Sequence, residues 1–297
     1  MKITVIIPVF NAGEYIERCL KSVIPQKHVD EIVIVDDGSS DDSVDIISSI
    51  ALTENKVRLY FHPKQSNQGR SASRNLAIEK SSNEWIAFLD ADDYFRPGRF
   101  LDIEKQIDSE VDGIYGLVQT EYKNQRLRAK FPDELTGIKE KIQPDELFPY
   151  LTENHDNSIS LISLLVRKKA LLGFCRFDTN LLGGEDTDVI WRLAKNYNLI
   201  QDIREEIYSV RFVHGENSYF STAQLVKDRR KFYRKWLMLS SEYSLSKKAI
   251  NQILKKYIYY LPITQKTLCI PGASRLIRIA FMFFYYLRVD RLKAFCH

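Results

Sequence analysis

Trp85-Ile86-Ala87-Phe88-Leu89-Asp90-Ala91-Asp92-Asp93 decides how this chain is read. A short apolar run ends in three carboxylates within four residues. The run is only a few residues long and contains aromatic side chains, so it reads as a buried strand. An uncompensated carboxylate at the end of such a strand is costly. A divalent cation or a solvent-filled cleft would compensate it. Mg²⁺ and Mn²⁺ prefer carboxylate oxygens, and Mg²⁺ takes one or two of them together with substrate phosphates. Asp90 and Asp92 therefore point to a metal site that holds a phosphorylated ligand. A solvated loop or a helix cap is the plainer use of the same residues, and the rest of the chain has to decide.

Upstream of this stretch, strands and helices alternate. Ile3–Val9, Glu31–Val35 and Val57–Phe61 are apolar runs rich in β-branched residues. Between them, Glu14–Val23 places Tyr15, Ile16, Cys19, Leu20 and Val23 on one helical face, and Asp42–Leu52 repeats the pattern with Val44, Ile47 and Ala51. Ser71–Glu79 is a third predicted helix, leading into the strand Trp85–Leu89. Continuous apolar strands alternating with helices predict an α/β fold with a mostly parallel sheet covered on both faces. Right-handed crossovers bring the strand C-terminal ends to one edge, where ligands of such sheets bind. Phe10-Asn11-Ala12-Gly13, Asp36-Asp37-Gly38-Ser39-Ser40, Asn67-Gln68-Gly69-Arg70 and Asp90-Ala91-Asp92-Asp93 all fall at that edge.

The middle of the chain is less regular. Gly113–Thr120 and Ser158–Val166 read as strands, Gln119–Phe131 as an exposed hairpin around Lys123-Asn124, and Pro144–Leu151 as a short helix. Gly183-Gly184 precedes a helix that begins Glu185-Asp186-Thr187-Asp188, an acidic first turn suited to the helix dipole. Tyr208–His214 is a last strand, and the pattern from Gln224 onward is helical.

The polar clusters suit a phosphoryl-sugar site. A metal held by Asp90 and Asp92 would stabilise a leaving diphosphate. Arg70 or Arg74 would add charge-assisted hydrogen bonds to phosphate oxygens. Asp36 or Asp37 would accept a ring N–H of a planar heterocycle, and Asn67 would supply an amide pair. Displacement at a sugar carbon needs a general base for the incoming hydroxyl, and Asp186 behind the Gly183-Gly184 turn is the candidate. His214, ending a late strand, is a candidate third metal ligand or phosphate contact. The plainer alternatives are a satisfied structural histidine, an Arg74 paired with a carboxylate, and a turn and helix cap at Asp37-Gly38-Ser39.

Five segments in this order carry a resemblance: Val5-Ile6-Ile7-Pro8-Val9-Phe10-Asn11, Ile34-Val35-Asp36-Asp37-Gly38-Ser39, Asn67 to Asn75, Phe88 to Asp93, and Gly184 to Asp188. Together they resemble the family 2 glycosyltransferases of the GT-A fold, over roughly residues 1–220. The resemblance implies a Rossmann-like sheet and inverting transfer of a sugar from a nucleotide-sugar donor, usually a UDP-sugar, to an acceptor hydroxyl. It implies that Pro8, Val9, Asn11, Asp36, Asp37 and Asn67 surround the nucleoside, with Arg70, Arg74 and Ala91 also on the donor side. It makes Asp90 and Asp92 the Asp-x-Asp of a Mn²⁺ or Mg²⁺ site, with His214 near metal and diphosphate, and Asp186 the catalytic base. Gly183, Gly184 and Glu185 become the acceptor or donor-sugar loop. Many relatives carry a small or apolar residue at the position of Arg70, which leaves open whether Arg70 or Arg74 meets phosphate. By the same resemblance, the glycan built would be a bacterial surface polysaccharide, made from the cytoplasmic side.

Bulk properties add a second theme. The 297 residues carry a net charge of +4. From Ser221 onward there are 16 Lys and Arg against 3 Asp and Glu, so the body is acidic and the tail strongly basic. Two units are expected: a nucleotide-sugar-binding and catalytic domain over 1–220, and a basic, aromatic helical extension over 221–297. Arg229, Arg230, Lys231, Arg234 and Lys235 share a helix with Phe232, Tyr233, Trp236 and Leu237, and Leu276–Arg288 is apolar with basic residues inside and flanking it. Such helices lie in a bilayer interface held by anionic lipids, or pack on the domain or on a second copy in a homo-oligomer. The expected partners are the nucleotide-sugar and a glycan or glycolipid acceptor, with peripheral contact on the inner face of the cytoplasmic membrane. No apolar run approaches the roughly 20 residues of a spanning helix. No secretory pattern opens the sequence. Cys19, Cys175, Cys269 and Cys296 show no metal or redox spacing and read as reduced cytoplasmic thiols.

Three rival classes fit less well. A sugar-nucleotide pyrophosphorylase wants a glycine-rich basic loop after the first strand, where this chain has Val9-Phe10-Asn11. A dehydrogenase-like domain wants G-x-G-x-x-G there. A non-catalytic glycan-assembly protein would not need both the metal carboxylates and Glu185-Asp186. Nucleic-acid binding is not expected, since no recognised motif accompanies the basic tail.

Overall fold

A computed structural model of the chain describes residues 1–130, 135–155, 158–204, 206–215 and 222–260. The first half has the predicted alternation: β1 (Ile3–Val9), α1 (Gly13–Val23), β2 (Val29–Asp36), α2 (Ser43–Ala51), β3 (Val57–Phe61), α3 (Arg70–Lys80) and β4 (Trp85–Phe88). Then come β5 (Tyr94–Phe95), β6 (Gly113–Tyr115), β7 (Val118–Tyr122), α4 (Gln125–Lys130), β8 (Leu135–Thr136) and α5 (Pro144–Glu153). The order closes with β9 (Leu165–Arg167), α6 (Lys168–Leu172), α7 (Glu185–Asn196), β10 (Leu199–Gln201), β11 (Ser209–Val213), α8 (Thr222–Met238) and α9 (Lys247–Tyr259).

The central sheet has the order β10-β6-β9-β4-β1-β2-β3. It is parallel except for β9, which runs against both β4 and β6. Successive residues of β1 serve opposite faces: Ile3, Val5, Ile7 and Val9 pack with α1, while Ile6 packs with α3, α7 and α8. Each face is therefore covered, and every residue of β1 is buried. A fully buried Ile or Val contributes about 1.5–3 kcal/mol relative to exposure, so this strand anchors both layers. A smaller sheet, β5-β11-β7-β8, lies beside the first.

The ligand edge lies where β4 leaves β1. Their pairing ends at Ile6 with Phe88, and Leu89 donates its N–H to the Ile6 carbonyl at 3.0 Å. Pro8 comes just past that departure, where its missing N–H breaks no bond to β4. β1 is the point from which strands are laid down in both directions, and this is the crevice where open α/β sheets bind ligands.

Three predicted elements are corrected. Gly113–Thr120 is not one strand: β6 belongs to the central sheet and β7 to the smaller one, with the chain turning at Gly116-Leu117. Ser158–Val166 is not a strand throughout. Leu161–Ser163 forms a 3₁₀ turn, in which the Ser163 hydroxyl donates to the Ser160 carbonyl at 2.8 Å, before β9 starts. The hairpin at Lys123-Asn124 is instead a helix start: Asn124 Oδ1 accepts the Leu127 N–H at 3.0 Å and caps α4.

The helix α8 packs into the fold. Phe232, Tyr233 and Trp236 are buried, and Trp236 meets Trp191 of α7 edge-on at 4.9 Å between ring centroids. The aromatic face offered by the sequence for a bilayer is, in α8, inside the protein. Its exposed side carries Lys227, Lys231, Arg234 and Met238. The segment Leu276–Arg288 lies outside the described residues.

Candidate active site

Four loops meet at the ligand edge, and hydrogen bonds stitch them together. Asn11, in the left-handed region at φ 49°, accepts the Ser40 N–H on Oδ1 at 2.8 Å and donates its own N–H to Ser39 Oγ at 3.0 Å. Asp36 Oδ2 accepts the N–H groups of Gly38 and Ser39, both at 3.0 Å, while Oδ1 is buried with no partner among the described residues. Asp37 accepts Gln68 N–H at 2.6 Å and Gly69 N–H at 2.9 Å. The loop carrying Asn67 passes directly over Gly38. A Cβ there would lie 2.9 Å from the Gln65 carbonyl, and φ is +83°, so only glycine fits. Pro8, Val9 and Ala91 are buried beneath these loops, and Asn67 is exposed on top.

Arg74 is the hub on the other side. Its side chain is 1% exposed, yet it faces three carboxylates. Nη2 donates to Asp90 Oδ1 at 2.7 Å, and Nη1 reaches Asp186 Oδ1 at 2.8 Å and Glu185 Oε1 at 3.5 Å. Burial disfavours the guanidinium's charge, but Asp186, Asp90 and Glu185 outweigh it and raise its pKa. Burial likewise opposes the Asp90 charge, and Arg74 together with Arg70 holds that carboxyl below its ordinary value. Glu185 goes the other way: burial and the neighbouring Asp186 raise it, against the pull of Arg70 and Arg74. Arg70 sits at the rim, with Nε 3.2 Å from Glu185 Oε1 and Nη2 donating to the Leu182 carbonyl.

Asp92 and His214 form a second pair. His214 Nε2 lies 3.0 Å from Asp92 Oδ2, and its ring lies against Tyr15, tilted by 32° at 4.2 Å between centroids. Arg18 donates to the Asp92 carbonyl at 2.8 Å with its guanidinium 4.0 Å from the Phe212 ring. Asp93 is no helix cap, since the strand β5 follows it. It is buried and accepts the Phe212 N–H at 2.8 Å, so it ties β11, and with it His214, to the turn after β4. Burial, then Asp92 and Asp90, push its carboxyl well above the ordinary value. Neither Arg18 nor Asp93 carried a distinguishing signal in the sequence, since their partners are over 70 residues away.

The residues fit a divalent cation by donor chemistry. A carboxylate and an imidazole stand side by side at Asp92 and His214, beside a cleft that leaves further positions to phosphate and water. Among the described residues, no three His, Cys, Asp or Glu side chains converge as a ready-made cluster. Asp90 Oδ1 is instead taken up by Arg74.

The central sheet and its ligand edge have the architecture of the GT-A fold. A sequence model for glycosyl transferase family 2 matches residues 4–164, and the chain belongs to that family. It is 30% identical over 221 residues to an uncharacterized glycosyltransferase of Rickettsia felis, covering 73% of this chain and 34% of that one. It is 35% identical over 229 residues to the glycosyltransferase GlyA of Streptococcus pneumoniae, covering 73% and 31%. The chain thus spans about a third of the length of these relatives. Among solved structures, residues 1–349 of S. aureus TarS in complex with UDP-GlcNAc share the fold at a TM-score of 0.64 and 19% identity, over 94% of this chain and 78% of that one. The mannosyltransferase PcManGT of Pyrobaculum calidifontis, in complex with GDP-Man and Mn²⁺, does so at 0.58 and 15%, over 99% and 83%.

Proposed function

We propose that this glycosyltransferase inverts configuration, moving a sugar from a nucleotide diphosphate sugar, a UDP-sugar by preference, onto a hydroxyl of a surface glycan or glycolipid. One observation carries the reading. A single buried guanidinium, Arg74, holds both a carboxylate at the end of β4 and Asp186 at the start of α7. The leaving-group side and the base side of a transfer site are thereby set one side chain apart. Structures with UDP-GlcNAc and with GDP-Man and Mn²⁺ share this fold, which supports a nucleotide-sugar and a metal here.

Asp186 is the base. Its side chain is 40% exposed, so an incoming hydroxyl reaches it, and Arg74 keeps one oxygen fixed while the other stays available. Asp92 and His214 would hold the divalent cation, with Asp90 beside them. When bound, that ion neutralises charge on the departing diphosphate. Pro8, Val9, Asn11, Asp36, Asp37, Asn67 and Ala91 form the nucleoside wall, and Arg70 at the rim is the guanidinium placed to meet phosphate. Gly183, Gly184 and Glu185 border the transferred sugar.

The direct test is purified protein with Mn²⁺ against a panel of UDP-, GDP- and TDP-sugars, scoring thermal stabilisation and hydrolysis. No response to any of them would sink the reading. Asp92→Ala should raise the Mn²⁺ and donor concentrations needed for half-maximal rate by about tenfold or more. Unchanged metal dependence would remove Asp92 from the site.

The expected membrane contact takes a more specific form. No described helix is long and apolar enough to cross a bilayer. The apolar face of α8 is occupied by the protein, so contact there runs through the charges of Lys227, Lys231 and Arg234. Such contact is salt-sensitive. The protein should pellet with anionic vesicles at low salt and be released at about 0.5 M salt. Pelleting unaffected by salt, or none at all, would contradict this.

A further inference from the structure

The catalytic helix is held from behind by the tail. Asp188, one residue past Thr187 on α7, is fully buried and ion-paired. Arg192 of the same helix donates to its Oδ2 through Nε at 3.0 Å and Nη2 at 2.6 Å. The remaining donors come from α8. Lys235 Nζ lies 3.0 Å from Oδ2 and 2.9 Å from Oδ1, and Trp236 Nε1 donates to Oδ1 at 3.1 Å. Lys235 also donates to Asp178 Oδ2 at 2.8 Å, at the start of the loop leading to Gly183.

The same helix shapes the glycine turn. Gly184 has φ +84°, and a Cβ there would meet the Phe232 ring at 3.0 Å. A Cβ on Gly183 would come 3.1 Å from Asp228 Cβ. So α8 lies flat against the turn that delivers Glu185 and Asp186, and clamps α7 about half a helical turn beyond the base.

We propose that Lys235 and Trp236 are positioning residues for transfer: through Asp188 and the Gly183-Gly184 turn, the tail helix fixes where Asp186 stands. The inference rests on the reading of Asp186 as the base. It gives the tail a role in the chemistry, separate from any contact it makes with a surface. A base displaced by about 1 Å loses much of its effect, while the nucleotide wall on β1 and β2 shares no residue with this clamp.

Trp236→Phe keeps an aromatic ring but removes the donor and part of the indole's volume, and Lys235→Gln removes the charge. Each should lower kcat about tenfold while the donor KM and the affinity for the free nucleotide diphosphate stay unchanged. Lys235→Arg should restore most of kcat. Soluble, folded variants with wild-type kcat would overturn the proposal, as would a loss confined to thermal stability. Should either variant fail to fold, Phe232→Leu, which loosens the packing on Gly184, reads out the same split. Asp186→Asn run alongside separates the two claims. If it keeps transfer, the base assignment fails. If it abolishes transfer while the α8 variants are normal, only the positioning role fails.

Discussion

Asp186→Asn should abolish transfer, with kcat reduced about 10²–10⁴-fold, the range a general base supplies. The amide occupies the same volume, still accepts from Arg74 through its carbonyl, and cannot take a proton. Nucleotide affinity should remain within about twofold, because the proposed nucleoside wall is built from β1, β2 and the loop before α3 rather than from α7. Comparing single-turnover transfer with equilibrium binding of the nucleotide diphosphate checks both halves. Retained transfer would refute the role, and lost binding would mean that Asp186 serves the donor instead.

Arg74→Gln should be the most damaging single change to the folded state. Breaking a buried ion pair from one side costs about 3–5 kcal/mol, because the partner is left uncompensated. Here three carboxylates lose their shared buried partner together, and Glu185 keeps Arg70 at 3.2 Å. Asp90 and Asp186 reach solvent, with 35% and 40% of their side chains exposed, which discounts the loss. A fall of about 3 kcal/mol in urea-unfolding stability is therefore expected. Glu185, only 3% exposed, has no such relief. Arg74→Lys should rescue little, since an ammonium is a point charge and cannot bridge Asp90 and Asp186 as a planar fork does. A variant with unaltered stability would show that the carboxylates find other partners.

The parallel wing was readable because its signals are local. Apolar runs of β-branched residues, helical faces such as Tyr15-Ile16-Cys19-Leu20, and the polar clusters after each strand come one after another along the chain. The middle was not, because its information is tertiary. Gly116-Leu117 hides the passage of one apolar segment from one sheet to another. Ser160–Ser163 reads as extended until its side chains bond to backbone. Asn124 was a visible cap signal, and the alternating charges around it masked it. In the candidate site, the residue types were visible in the sequence and their pairings were not. Of the two arginines, the structure buries Arg74 among carboxylates and leaves Arg70 at the rim, a difference no sequence pattern announced. Asp188 looked like part of an acidic first turn, and only the approach of α8 shows it as a buried anchor.

The reversed strand β9 has a consequence for how such a cleft changes over time. In a parallel wing, the ligand edge receives the loop that leaves each strand. Because β9 runs the other way, the edge receives there the segment that enters the strand, Ser160–Leu164, with Ser160 Oγ accepting from Arg211 of the smaller sheet at 2.9 Å. Two walls of the cleft are therefore written in separate stretches of chain, residues 8–93 for one and the stretch between β6 and β9 for another, with the start of α7 and the end of β11 completing it. They can be exchanged independently, so a chimera that swaps residues 116–164 between family members should carry one partner's preference across while leaving the nucleotide preference of the host in place.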